Sequence, residues 1–183
     1  MKILENKVDI EAAQKQLETV LQSLKPEDIP VQIGYKGGNV RGKASYLKEH
    51  GIWFHFGGAI EGDGGRKRYW NVFGLDKPKE HSNVSIIVEI NPPVEGIDRR
   101  DSGAFAKDDK GNIFLLQRGR IGGGKERIGK KLFSEKYDGE WAEVEDGDEK
   151  SELAVIGNIS SDDFVGKLSD FVKSVDNIKR NAC

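Results

Sequence analysis

Along residues 8–24, VDIEAAQKQLETVLQSL, the apolar positions Ile10, Ala13, Leu17, Val20, Leu21 and Leu24 recur three and four apart with polar residues between them. That spacing predicts an amphipathic helix, with Asp9 placed to cap it. KPEDIP follows and ends the helical run, because Pro26 and Pro30 offer no amide to a helix ladder. The same spacing returns at the end of the chain. In SSDDFVGKLSDFVKSVDNIK, the residues Phe164, Leu168, Phe171, Val172, Val175 and Ile178 share one face behind Ser160 or Ser161 as cap. This helix is expected to lie across a sheet.

Between the two helices the rhythm shortens to runs of β-branched and aromatic residues punctuated by glycine and proline. These predict strands near 31–36, 51–57, 68–74, 84–90, 103–107, 112–118, 141–144 and 152–157, several of them antiparallel. The clearest hairpin is SGAFAKDDKGNIFLLQR, in which Asp108 to Asn112 joins two apolar runs and Gly111 suits a positive φ. ERIGKKLFSEKY predicts a short helix from about 126 to 136. The sum is an α+β fold: a curved, mainly antiparallel sheet or partial barrel with an N-terminal and a C-terminal helix. A length of 183 residues fits one domain over 1–183, with helix 8–24 either part of it or an appendage. GGAIEGDGGRKR, residues 57–68, is glycine-rich with almost no apolar anchor and is expected to be a loop.

Charge changes the picture through its distribution rather than its sum. Lys plus Arg number 29 and Asp plus Glu 31, for a net charge of −2. Yet the fourteen residues 118–131 hold six bases, one acid and five glycines, while residues 138–152 hold eight acids and one base. A near-neutral total therefore conceals a basic stretch followed by an acidic one, and an anionic partner would meet only the first. The acidic block is most simply a solvated strand–turn–strand around EDGDE, with Trp141, Val144 and Leu153 toward the core.

Within the basic stretch, Gly119 to Lys125 matches the first seven positions of the phosphate-loop pattern G-x-x-x-x-G-K. The eighth position is Glu126 where a magnesium-binding Ser or Thr is needed, so nucleotide hydrolysis is not implied. Phosphate binding without hydrolysis keeps the useful chemistry. Gly122, Gly123 and Gly124 let backbone amides approach phosphate oxygens, and Arg118, Arg120, Lys125, Arg127, Lys130 and Lys131 supply charge. Arg66 and Arg68 in RKRYW, and Arg99 and Arg100 in DRRDS, sit at or beside predicted strand ends and are expected to extend that surface. Trp53, Tyr69 and Trp70 are the candidate base-contacting aromatics, since rings beside bases can stack nucleobases.

Other chemistry is poorly supplied. The single cysteine, Cys183, rules out an internal disulfide, and His50, His55 and His81 lack a metal-ligand spacing. Glu89 lies late in VSIIVEI with Glu61, Asp63, Glu95, Asp98 and Asp101 elsewhere, which leaves a magnesium-dependent nuclease as the enzymatic alternative, although no acidic-x-lysine element accompanies Glu89. No cofactor or metal is called for. The charged N-terminal stretch and the absence of any run near eighteen apolar residues predict a cytoplasmic chain with no membrane association. The expected partner is nucleic acid, duplex DNA before RNA, because clustered arginines suit a regular phosphate array. The alternative is a protein-interaction module whose acidic and basic faces pair with a partner or with a second copy.

Overall fold

The computed structural model describes residues 1–35, 38–62, 66–78, 86–90, 103–118, 121 and 128–182, with backbone only for 33–35, 38–40, 58–62 and 66–68. The elements run β1 (Lys2–Glu5), α1 (Ile10–Gln22), β2 (Glu27–Tyr35), β3 (Gly38–Leu47), β4 (Ile52–Gly62), β5 (Arg66–Leu75), β6 (Ile86–Ile90), β7 (Gly103–Lys107), β8 (Ile113–Gln117), α2 (Lys130–Lys136), β9 (Trp141–Asp146), β10 (Glu149–Asn158) and α3 (Phe164–Asn181). A 3₁₀ turn at Lys48–His50 links β3 to β4.

All ten strands form one sheet in the order β1-β9-β10-β8-β7-β6-β5-β4-β3-β2, and β1 also pairs with β7. That extra pairing closes β1, β9, β10, β8 and β7 into a five-stranded barrel, from which β6 to β2 continue as an open sheet. Among the described strands only β1–β9 and β6–β7 run parallel. The α+β class, the mainly antiparallel sheet and both terminal helices agree with the sequence pattern.

Among the described residues three apolar clusters form the core. Leu4, Ala104, Ala106, Phe114, Leu116, Ala142, Val144, Leu153 and Val155 fill the barrel, the three alanines making room for the larger side chains in its narrow bore. The largest cluster packs α1 and α3 on one face of the sheet: Ala13, Leu17 and Leu21 meet Phe54, Phe73, Val88, Phe105, Phe171 and Val172 among others. Helix α1 is thus integrated in the main core. Its cap is the expected one, the Asp9 carboxylate accepting from the Ala12 amide at 3.1 Å. For α3 the cap position is Asp163, with no side-chain cap bond, and all six residues of the predicted face are buried.

The third cluster corrects an expectation. Trp53, Tyr69 and Trp70 are expected from the sequence to contact bases, but all three are buried, and both faces of β4 and β5 carry core residues. Trp53, Trp70 and Val72 join Ile29, Val31 and Ala44 in a core on the face away from the helices. Strand β3 pairs with β4 only over Ser45–Leu47, so the long β2–β3 ribbon is released from β4 while contributing those residues. Two further differences lie in this ribbon. Strand β3 falls where the pattern predicts no strand, and β2 starts at Glu27 and carries Pro30, which is tolerated because β2 is an outer strand of the sheet.

Candidate polyanion-binding segment

Strand β8 delivers the chain to the basic segment at Gln117, which is buried, and Arg118, which is half-buried. Three residues later Ile121 forms an antiparallel bridge with Ile128. The Ile121 amide donates to the Ile128 carbonyl at 3.0 Å, and the Ile128 amide returns the bond to Ile121 at 2.9 Å. Both side chains are buried in the main cluster. Paired strand residues of this kind hold their Cα atoms about 5.5 Å apart, so the ends of the stretch GGGKER are fixed in space. Residues 122–127 themselves, with Gly122, Gly123, Gly124, Lys125 and Arg127, lie outside the described residues, as do Gly119 and Arg120.

After the bridge, Gly129 with φ −72° and ψ 157° leads into α2. The helix predicted from about 126 therefore starts at Lys130, because Ile128 is held in the bridge and Gly129 is the cap residue. Its anchor is Phe133, whose ring stacks on Tyr137 at 4.9 Å and meets Trp141 at 5.9 Å and Phe171 at 6.3 Å. Burial pushes the Tyr137 phenol up to about 12, with Asp138 and Glu140 adding to the shift, and the hydroxyl donates to the Val155 carbonyl at 3.3 Å. With its apolar side so fixed, α2 presents Lys130 and Lys131 to solvent. Among the described residues Lys131 pairs with Glu135 of its own helix, at 4.0 Å.

Sheet register decides which other basic clusters come near. Gly103 pairs with Gln117, so the chain enters β7 beside the point where it leaves β8. The segments bearing Arg99 and Arg100 on one side, and Arg118 and Arg120 on the other, thus join the same end of one hairpin, although Arg99 and Arg100 lie outside the described residues. Arg66 and Arg68 do not share that end. Tyr69, Ile90, Gly103 and Gln117 form one row across four strands, about 14 Å at usual strand spacing, and residues 66–68 leave it in the direction opposite to Arg118. Arg66 pairs with Gly62 and Arg68 with Ile60, and their side chains are outside the described residues.

The aromatic residues singled out in the sequence occupy protein cores. Trp53 is 2% exposed, Trp70 4% and Tyr69 7%. The Trp70 ring covers Gly57 and lies 5.1 Å from His55, and the Trp53 ring covers Gly74. Tyr69 faces the helices instead, donating its hydroxyl to Glu11 at 2.7 Å. Burial, reinforced by that carboxylate, pushes its phenol up to about 12. Trp141, which sequence assigned to the core, is the tryptophan that stays partly exposed.

Among the described residues no group of three or more His, Cys, Asp or Glu could hold a metal ion. Glu89 is half-buried opposite Trp70, whereas Asp63, Glu95, Asp98, Asp101 and the Glu61 side chain lie outside the described residues. No described helix is long and apolar enough to cross a membrane. Comparison with protein-family models, with curated proteins and with solved structures finds no match to this chain.

Proposed function

We propose that this chain binds nucleic acid, duplex DNA in the first instance, by gripping phosphates with the segment 118–131 and with Arg99 and Arg100. The observation that carries this is the Ile121–Ile128 bridge. A basic glycine run on an unanchored tail would lose much of its binding free energy to ordering, and fixing both ends at a buried pair reduces that cost. Arg118 before the bridge and the exposed Lys130 and Lys131 after it add charge on fixed elements. Since Trp53, Tyr69 and Trp70 are buried, the grip is on the backbone and carries little sequence preference.

The test is fluorescence anisotropy of labelled duplex DNA, single-stranded DNA and RNA at two salt concentrations, with wild type, Arg120→Ala/Lys125→Ala and Lys130→Ala/Lys131→Ala. Affinity should fall steeply with salt, and each double variant should flatten the log–log slope by about two units. A magnesium arm with the products run on a gel asks whether the DNA is cut. Absence of binding to all three nucleic acids at low salt would sink the proposal.

A further inference from the structure

The outer face of β1, β9 and β10 is exposed at Ile3, Glu5, Lys150 and Glu152, and register fixes what it displays. Ile3, Glu143 and Glu152 lie in one row, and Glu5, Glu145 and Lys150 in the next. Residues directly opposite in a sheet point to the same side. The intervening residues Leu4 and Val144 point into the barrel, so these two rows point out of it. Ile3 is 64% exposed, one of the few large apolar side chains at the surface. It stands among four carboxylates and one ammonium, so the face carries a net charge of −3 (Glu5, Glu143, Glu145 and Glu152 against Lys150). The single base is already shared, Lys150 donating to Glu143 at 2.9 Å and reaching Glu145 at 3.1 Å.

We propose that this face docks the basic 118–131 segment of a second copy of the chain. Charge complementarity selects the occupant: six bases against one acid in that segment meet a face with three carboxylates in excess. Ile3 offers an apolar centre to which the ring of acids gives a rim, the usual layout of a protein-binding patch. The two surfaces are different patches, so the contact is head-to-tail and builds open chains or rings rather than a two-fold dimer. Exposed ion pairs are individually weak and screened by salt, which makes this association concentration-dependent and reversible. It takes from the function proposed above only that the segment seeks anions, and a bound nucleic acid would compete with it.

The experiment is sedimentation velocity on the full chain, without nucleic acid, across protein concentration at low and high salt. Wild type should show a weight-average mass that climbs above the monomer with concentration at low salt and returns to the monomer at high salt. Glu143→Lys/Glu152→Lys and Lys130→Glu/Lys131→Glu should each be monomeric, and an equimolar mixture should associate again, because one variant keeps the basic segment and the other keeps the face. Glu152→Lys alone lies outside the Lys150 pairs and stands in for the face variant if circular dichroism shows the double variant misfolded; it should weaken the association. A wild type that stays monomeric throughout, association that survives both charge reversals, or a mixture that stays monomeric overturns the proposal. A monomeric chain that binds DNA discards this contact alone, whereas association without DNA binding discards the nucleic-acid function alone.

Discussion

Ile121 and Ile128 exchange both backbone hydrogen bonds across a buried bridge that lies outside the named strands. The pair closes residues 122–127 at their base, which makes a specific cross-link testable. In a Cys183→Ser background, Ile121→Cys/Ile128→Cys places two thiols within the Cα separation that a disulfide tolerates, usually about 4.4–6.8 Å. Oxidation should form it readily, read as a mass loss of two hydrogens in the peptide spanning the bridge. DNA affinity should stay within twofold of the reduced form, because the bond reproduces an existing constraint. Failure to form the bond, or a large change in affinity on closing it, would show that the ends are apart in the binding form.

Gln14 of α1 and Asn71 of β5 form a reciprocal amide pair in the core, at 2.6 and 3.2 Å, with exposures of 8% and 0%. Asn71→Ala would leave the Gln14 amide buried without its partner and should cost about 1–3 kcal/mol in urea unfolding. Gln14→Leu/Asn71→Leu, which removes both polar groups, should recover most of that loss. Additive costs in the double variant would mean that packing, rather than the amide pair, sets the stability there.

What the sequence reveals divides by the range of the interactions. The helices Ile10–Gln22 and Phe164–Asn181 were legible because their buried faces recur every three or four residues, a pattern contained in the segment itself. The hairpin at Asp108–Asn112 was legible for the same local reason, with Gly111 at φ 81°. Strand β1 was not, since KILE gains its identity from parallel pairing with residues 142–145 far along the chain. Strand β3, GNVRGKASYL, lacks alternation and is a strand because β2 pairs with it along its whole length. Of the site, composition pointed to the segment 118–131, and the isoleucines that bridge it carried no signal: two isolated apolar residues flanking glycines look alike whether or not they meet. The tryptophans misled because alternation cannot tell a sheet buried on both faces from one that is half solvated.

The Asp108 carboxylate organises the β7–β8 turn. One oxygen accepts from the amides of Lys110 and Asn112 at 3.0 and 2.8 Å, and the other from the Asn112 side chain at 2.8 Å. The Asn112 side-chain bond, then the backbone bonds, hold its pKa below the usual carboxylate range against some opposing desolvation. A carboxyl whose folded pKa is depressed stabilises the fold above its unfolded pKa and loses that contribution as pH falls through the folded value. Wild type should therefore lose more stability than Asp108→Asn between neutral pH and the acid side of the carboxylate range. Parallel stability curves for the two proteins over that interval would remove Asp108 from the account.

Trp53 and Trp70 lie flat on Gly74 and Gly57, where a Cβ would overlap the indole rings. Gly57→Ala or Gly74→Ala should each destabilise by about 1–3 kcal/mol, the usual cost of overpacking a filled core, measurable as a lower denaturation midpoint with an unchanged slope. The same burial bears on the proposed phosphate grip. Iodide should quench Trp141 and hardly touch the other two indoles, so Trp141→Phe should emit from a shielded, quencher-resistant population. Saturating that variant with duplex DNA should leave its emission unchanged, because phosphate contacts at 118–131 reach neither Trp53 nor Trp70. A salt-sensitive change in that emission would mean that the third cluster opens on binding and would return both tryptophans to the interface as base-contacting residues.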